Sequence, residues 1–373
     1  MKKITLLFAL ISFSSFSQTN PQPLTNNLRK IQLVILFDAS NSMDGLLDQA
    51  KSKIWAIVND ASGLRYQGTT PVLEIAMYDY GNSGISSVDN YVRMQTNFTT
   101  DLDLISAKLF GIRTNGGEEY CGAAIQKSLQ QLNWSNDPKD LKLIYIAGNE
   151  PFNQGPISYK EVCNEILKKD VIVNTIYCGD YQQGIKEFWK DGATCSNGAY
   201  FNINSNDKIT SIATPYDDEI FRLNQSLNGT YISYGFSGNL KKESQLNEDK
   251  NAFNQNISVA SERAIVKSKG SYNNASWDIV DAYRADSTSI LDLEEEAMPA
   301  ELKGKSDEDI KKYIADKTIE RSTIQAEIVQ LALLRDDFIA KEKSKLIESG
   351  KKDDFGSVMS KSIKEKGKEK GFE

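Results

Sequence analysis

Histidine is absent from all 373 residues. That excludes Ser-His-Asp and Cys-His catalysis, zinc sites built on histidine, and imidazole pH switching. An enzymatic reading would have to rest on carboxylates, Lys, Tyr or Cys. Cysteine is scarce: Cys121, Cys163, Cys178 and Cys195, with no CxxC among them. The phosphate-binding GxxxxGK(S/T), a GxGxxG after a strand, HExxH and GxSxG are all missing. Beyond the first residues no apolar run approaches bilayer length. Positive charge is not in excess either. The formal net charge of −7 argues against a nucleic-acid partner, which needs a basic face. No internal repeat is visible.

What is present begins with Met1-Lys2-Lys3 and an apolar stretch from Ile4 to Phe16, with small residues at Ser15 and Ser17. This is the pattern of a secretory signal cleaved near Ser17, too short to span a membrane. The alternative is an ordinary buried amino-terminal element. The expected location is exported, periplasmic or secreted, with no transmembrane segment after signal removal. Export and an even cysteine count together suggest disulfides among Cys121, Cys163, Cys178 and Cys195. Three pairings are open. Cys163 to Cys178 would tie a helix to the next strand, and Cys178 to Cys195 a strand end to the next helix. Buried free thiols are the other reading.

The expected organisation is a signal peptide over 1–17, a flexible leader over 18–29, and an α/β domain over 30–205. A helical extension (206–305), a long amphipathic helix (306–347) and a Lys-rich tail (348–373) follow. Within the α/β part, strands are expected over 31–37, 72–78, 88–94, 141–147, 171–177 and 199–203. Helices are expected after residue 46 and over 102–110, 122–132, 159–168 and 184–193. Repeated β-α units of this kind make a doubly wound, mostly parallel sheet. Further on, helices are expected over 220–227, 251–267 and 275–283. The long helix carries an apolar stripe of Ile324, Ile328, Leu331, Leu334 and Phe338. That stripe would pack on its own chain, or on a second copy as a short coiled coil that makes a homo-oligomer. The tail is expected to be a frayed, solvated end.

The most informative stretch is IQLVILFDASNSM, residues 31–43. An apolar strand ends in Asp38, and Ser40 and Ser42 follow at alternate positions. In an open α/β sheet, ligands bind in the loops at the strands' carboxyl ends. One carboxylate and two hydroxyls suit a hard cation such as Mg²⁺, Mn²⁺ or Ca²⁺. A helix N-cap is the plainer use of the same residues.

This segment resembles the von Willebrand factor type A (vWA) domain and its metal-ion-dependent adhesion site. The resemblance extends through LEIAMYDYGN, TNGGEEYCGAAI, IAGNEPFNQGPISYKEVC and VNTIYCGD, and on to LNGTYISYG and NASWDIVDAYR. Together these are similar to a bacterial exported subfamily with a helical carboxyl-terminal extension. The family's site draws on three loops. Asp38, Ser40 and Ser42 match the first. The second usually supplies a threonine, and alignment of the next helix puts Glu118 there. The third usually supplies an aspartate, where this chain has Gly148. The resemblance therefore implies a variant metal site of Asp38, Ser40, Ser42 and Glu118, with Glu119 and Glu150 as rim carboxylates and Arg113 as the nearest basic residue. The alternative is a vestigial rim held by hydrogen bonds.

The function implied is non-enzymatic: an adhesion or assembly module whose rim meets a protein or peptide partner, with or without a divalent cation. Two other readings remain. One is a scaffold that oligomerises through the long helix. The other is a hydrolase using a carboxylate pair drawn from Glu118 or Glu119 with Glu150.

Overall fold

A computed structural model describes residues 28–203, 212–348 and 355–373. The expected signal peptide and nearly all of the leader lie outside the described residues.

In the first part, chain order is β1 (Lys30–Asp38), α1 (Leu47–Gly63), β2 (Val72–Tyr80), β3 (Val92–Thr99), α2 (Leu102–Gly111), α3 (Cys121–Gln131), β4 (Leu141–Gly148), α4 (Tyr159–Lys168), β5 (Ile172–Tyr177), α5 (Tyr181–Lys186), α6 (Trp189–Thr194) and β6 (Tyr200–Asn202). The sheet order is β3-β2-β1-β4-β5-β6, and only β3 runs antiparallel. The chain winds outward on one side of β1 and then on the other. The switch point therefore lies between the carboxyl ends of β1 and β4, where a crevice opens.

β1 is buried on both faces, as its continuous apolar run requires. Ile31, Leu33, Ile35 and Phe37 join one core with α1 and α2. Val34 and Leu36 join the opposite core with α3, α4 and Trp189. This period-two division also settles the cysteines. Cys163 on α4 and Cys195 after α6 lie on the second face and form a disulfide, with Cα atoms 6.0 Å apart. Cys178 emerges from β5 into the first core, so neither pairing that involves it can form. Cys121 is also a buried free thiol. Both thiols are pushed up in pKa by burial, which makes them inert.

Four expected elements are displaced, one of them the helix expected over 275–283, which is Ile279–Ala285. The strand expected over 88–94 begins only at Val92, and Val88 stands in a short 3₁₀ turn, 90% exposed. The helix expected over 184–193 is two helices, broken at Phe188 with φ +66°. The helix expected over 251–267 is also two.

The second part continues with α7 (Asp217–Asn228), α8 (Gly238–Gln255), α9 (Ile257–Lys267), α10 (Ile279–Ala285), α11 (Ser287–Leu291), α12 (Asp307–Glu348) and α13 (Phe355–Glu369). Asn256 divides α8 from α9: its side chain accepts the N–H of Val259 at 3.0 Å and caps the second helix. Leu227, Ala264 and Ile328 join the first core, so the helical part thickens the layer that covers that face of the sheet.

The carboxyl terminus is not a frayed end. Met359, Ile363 and Phe372 are buried in the first core. Arg65 and Glu373 exchange two backbone hydrogen bonds of 2.7 Å, which clamp the chain end beside α1. Among the described residues, no helix is long and apolar enough to cross a membrane.

Candidate functional site

Asp38 ends β1 and is fully buried. Its Oδ1 accepts the backbone N–H of Ser40 at 2.8 Å, while Oδ2 has no hydrogen-bond partner. Ser40 is buried, and its Oγ lies 2.8 Å from that of Ser42, which stands at the surface. Backbone bonds strap this loop to its neighbours. Ala39 N–H donates to Tyr80 O (2.8 Å), and Asn115 N–H to Ala39 O (3.0 Å). Asn149, after β4, closes the fourth side. Its Oδ1 accepts from the Ser42 hydroxyl (2.9 Å), and its Nδ2 donates to Ser42 O (2.9 Å). Sequence reasoning missed Asn149; only its position next to Gly148 pointed to it.

The second loop departs from the sequence expectation by one residue. Glu118 is exposed and accepts from the Tyr120 hydroxyl at 3.0 Å. Glu119 turns inward instead. It is only 6% exposed and lies within hydrogen-bonding reach of Ser40. Two glycines leave it room. A Cβ on Gly81 would sit 2.9 Å from both Asp38 Oδ1 and Glu119 Cγ, and one on Gly117 would overlap Glu119 Oε1. Gly81 also has φ +78°, a conformation that favours glycine.

The third loop cannot accept the family's aspartate. A Cβ on Gly148 would stand 2.5 Å from the Tyr80 hydroxyl, 3.0 Å from Asp38 Oδ2 and 3.1 Å from the Trp189 ring. Tyr80 is fixed there by donating to Ala147 O at 2.9 Å. Glu150 is half-buried at the edge, and its backbone carbonyl accepts the indole N–H of Trp189 at 2.8 Å. Arg113 points away and donates to the carbonyls of Phe110 (3.1 Å) and Ile112 (3.0 Å) at the end of α2. It does not neutralise the site.

Burial raises the Asp38 carboxyl to about 7, and the charge of Glu119 adds to the rise. Glu119 is itself raised, first by burial and then by Glu150 and Glu118. Hydroxyl protons are few: Ser42 gives its own to Asn149, so the Ser40 hydroxyl holds one proton for Ser42, Asp38 and Glu119, beside the backbone N–H groups of Ser40 and Asn149 that face Asp38. Such an acceptor-rich, hard-oxygen cluster fits a bound divalent cation or an added proton. The donor set is lean: among the described residues no three His, Cys, Asp or Glu side chains group closely enough to hold a metal by themselves. The hydroxyls of Ser40 and Ser42 would have to complete the shell.

No family model matches the chain, and no curated protein does. Among solved structures, the chain is similar to proximal thread matrix protein 1 from the mussel byssus with a zinc-occupied MIDAS motif, at 12% identity and TM-score 0.37, covering 50% of this chain and 44% of that one. It is similar to BatB from Bacteroides thetaiotaomicron at 16% identity and TM-score 0.35, covering 47% and 90%. It is similar to the SpRpn10 VWA domain at 16% identity and TM-score 0.33, covering 49% and 91%. The match thus spans less than half of the mussel protein. The fold stands on the chain's own strand order and its antiparallel edge strand, with the Asp-x-Ser-x-Ser loop at the switch point: residues 30–202 have a doubly wound α/β fold of the von Willebrand factor type A-like or Rossmann-like class.

Proposed function

We propose that this chain is an exported, non-enzymatic binding module whose vWA rim meets a protein or peptide partner. In this reading a divalent cation (Mg²⁺, Mn²⁺ or Ca²⁺) sits at the Asp38, Ser40 and Ser42 loop. The single observation that carries it is the buried, orphaned Oδ2 of Asp38, set among oxygen acceptors at the sheet's switch point with no basic side chain bonded to it. Such a carboxylate is costly unless a cation or a proton compensates it. The cation would supply positive charge at the rim and order the loops around Ser42 and Asn149. Export is supported by the Lys2, Lys3 and Ile4–Phe16 pattern.

Titration calorimetry of residues 18–373 with each of the three cations, with Asp38→Ala alongside, tests the reading. Saturable heat that is lost in the variant is expected. Equal heat in both proteins would remove Asp38 from the site.

A second reading, a scaffold that oligomerises through α12, would have to use Leu333 and Leu334, which stand exposed on that helix. The molecular mass in solution decides it.

A further inference from the structure

The carboxylate that Gly148 cannot supply has a replacement on the opposite side of the cleft. We propose that Glu119 is the second carboxylate ligand of the rim cation and closes the site from within, so that no carboxylate from a partner is needed to complete it. The inference rests on the cation reading above and adds the ligand set to it.

Three geometric facts carry the assignment. The space beside Asp38 where a residue-148 carboxylate would begin is filled by the Tyr80 hydroxyl and the Trp189 ring. Glu119 approaches from the loop before α3 and buries its side chain against Ser40, while the adjacent Glu118 points outward to Tyr120. Gly81 and Gly117 are the residues whose side chains would strike Glu119, so the backbone leaves a slot for this one side chain. Asp38 Oδ2, buried and unpartnered, supplies the independent sign that a positive ligand is missing.

The chemical consequence concerns charge. Asp38 and Glu119 together balance a divalent ion. A cation already neutralised by its own protein attracts a partner carboxylate weakly, because little net positive charge is left to pair with it. The exposed Glu118 and the half-buried Glu150 make the outer rim negative. The partner surface that fits is therefore basic or hydroxyl-bearing, not acidic.

The experiment uses Mn²⁺ alone as the probe, on residues 18–373. Free Mn²⁺ is counted by electron paramagnetic resonance, and water-proton relaxivity of the bound ion is measured in the same samples. Wild type, Glu119→Gln and Glu118→Gln are compared after thermal melts in chelator establish that all three are folded. The expected result is affinity weakened by about tenfold or more in Glu119→Gln, with higher relaxivity per bound ion as water replaces the lost oxygen, and little change in Glu118→Gln. Equal weakening in both variants would overturn the assignment in favour of a diffuse acidic rim. Mn²⁺ binding that Glu119→Gln leaves unaltered would overturn it while sparing the cation reading. Absence of Mn²⁺ binding in wild type would overturn both.

Discussion

Asp38 has two oxygens with different circumstances, one bonded to the Ser40 amide and one bonded to nothing. Burial raises this carboxyl from its ordinary 3.8 to about 7. The native state therefore holds a proton that the unfolded chain releases. Stability contributed by that proton is complete below about pH 4 and is lost as pH rises toward 7. Over this window the change is on the order of 4 kcal/mol. Urea unfolding in chelator should show stability falling from pH 4 to pH 7, with Asp38→Asn flattening the trend. A divalent cation at the site should do the same, because it favours the ionised form. Asp60, raised to about 6 by burial, contributes to the same fall, so the difference between wild type and Asp38→Asn is what reports on Asp38: an equal fall in both would mean that Asp38 is compensated in the native state. At this scale the sequence was partly legible. Asp38, Ser40 and Ser42 were readable because a strand's apolar run sets the position of the residue that follows it. Which of Glu118 and Glu119 turns inward was not, since adjacent residues on a loop point to opposite sides and the slot left by Gly81 and Gly117 receives Glu119.

At the scale of elements, the long helix α12 shows where pattern reading stops. The expected stripe ran through Leu334, which is 49% exposed. The face that docks contains Ile310, Ile314, Arg321, Ile328, Ala332 and Arg335, all buried. Arg321, Ile328 and Arg335 are seven residues apart, the spacing of a single helical seam. Two of those three positions are arginine, and a hydrophobicity pattern counts arginine as polar. The structure buries them by supplying acids. Arg321 donates to Asp278 (2.7 and 3.0 Å), Asp281 (3.0 Å) and the carbonyl of Thr230 (2.6 Å), with its guanidinium over the Tyr231 ring. Arg335 donates to Asp217 at 2.8 Å. A comparable network fixes α9 to α2: Arg263 bonds Asp103 and Asp249, each at 2.6 Å. Removing one partner of such a pair leaves buried charge uncompensated and costs about 3–5 kcal/mol. Arg321→Ala should therefore lower stability by that order, since Asp278 and Asp281 would be left in the interior. Arg284→Ala, an exposed arginine 3.9 Å from Asp281, should change stability by about 1 kcal/mol or less. Chemical denaturation of the two variants makes the comparison, and equal losses would show that the network does not hold the helix.

At the scale of the whole molecule, the question is what the seam of α12 leaves for a second copy. A coiled coil needs its core positions free, and here Ile314, Arg321 and Ile328 are already used against α7, α9 and α10. The tail was expected to be free as well, and its Lys content gave no sign of docking. Its anchors are Met359, Ile363 and Phe372, too few and too widely spaced to stand out as a periodic pattern. Phe372 meets Tyr66 edge to face, with ring centres 5.4 Å apart, and so closes the molecule against α1. The segment that sequence patterning offered to a second copy and the tail it left in solvent are thus both packed within the chain. What remains on α12 is the pair Leu333 and Leu334 with Val329 and Ile319, single exposed residues of the kind that monomeric surfaces carry. Residues 18–373 should accordingly run in light scattering at a mass somewhat below the 41.7 kDa of the full chain, without change on dilution. A concentration-dependent dimer abolished by Leu333→Glu would instead place the second copy on this outer face, and would favour the scaffold reading over the vWA rim as the place where the chain does its work.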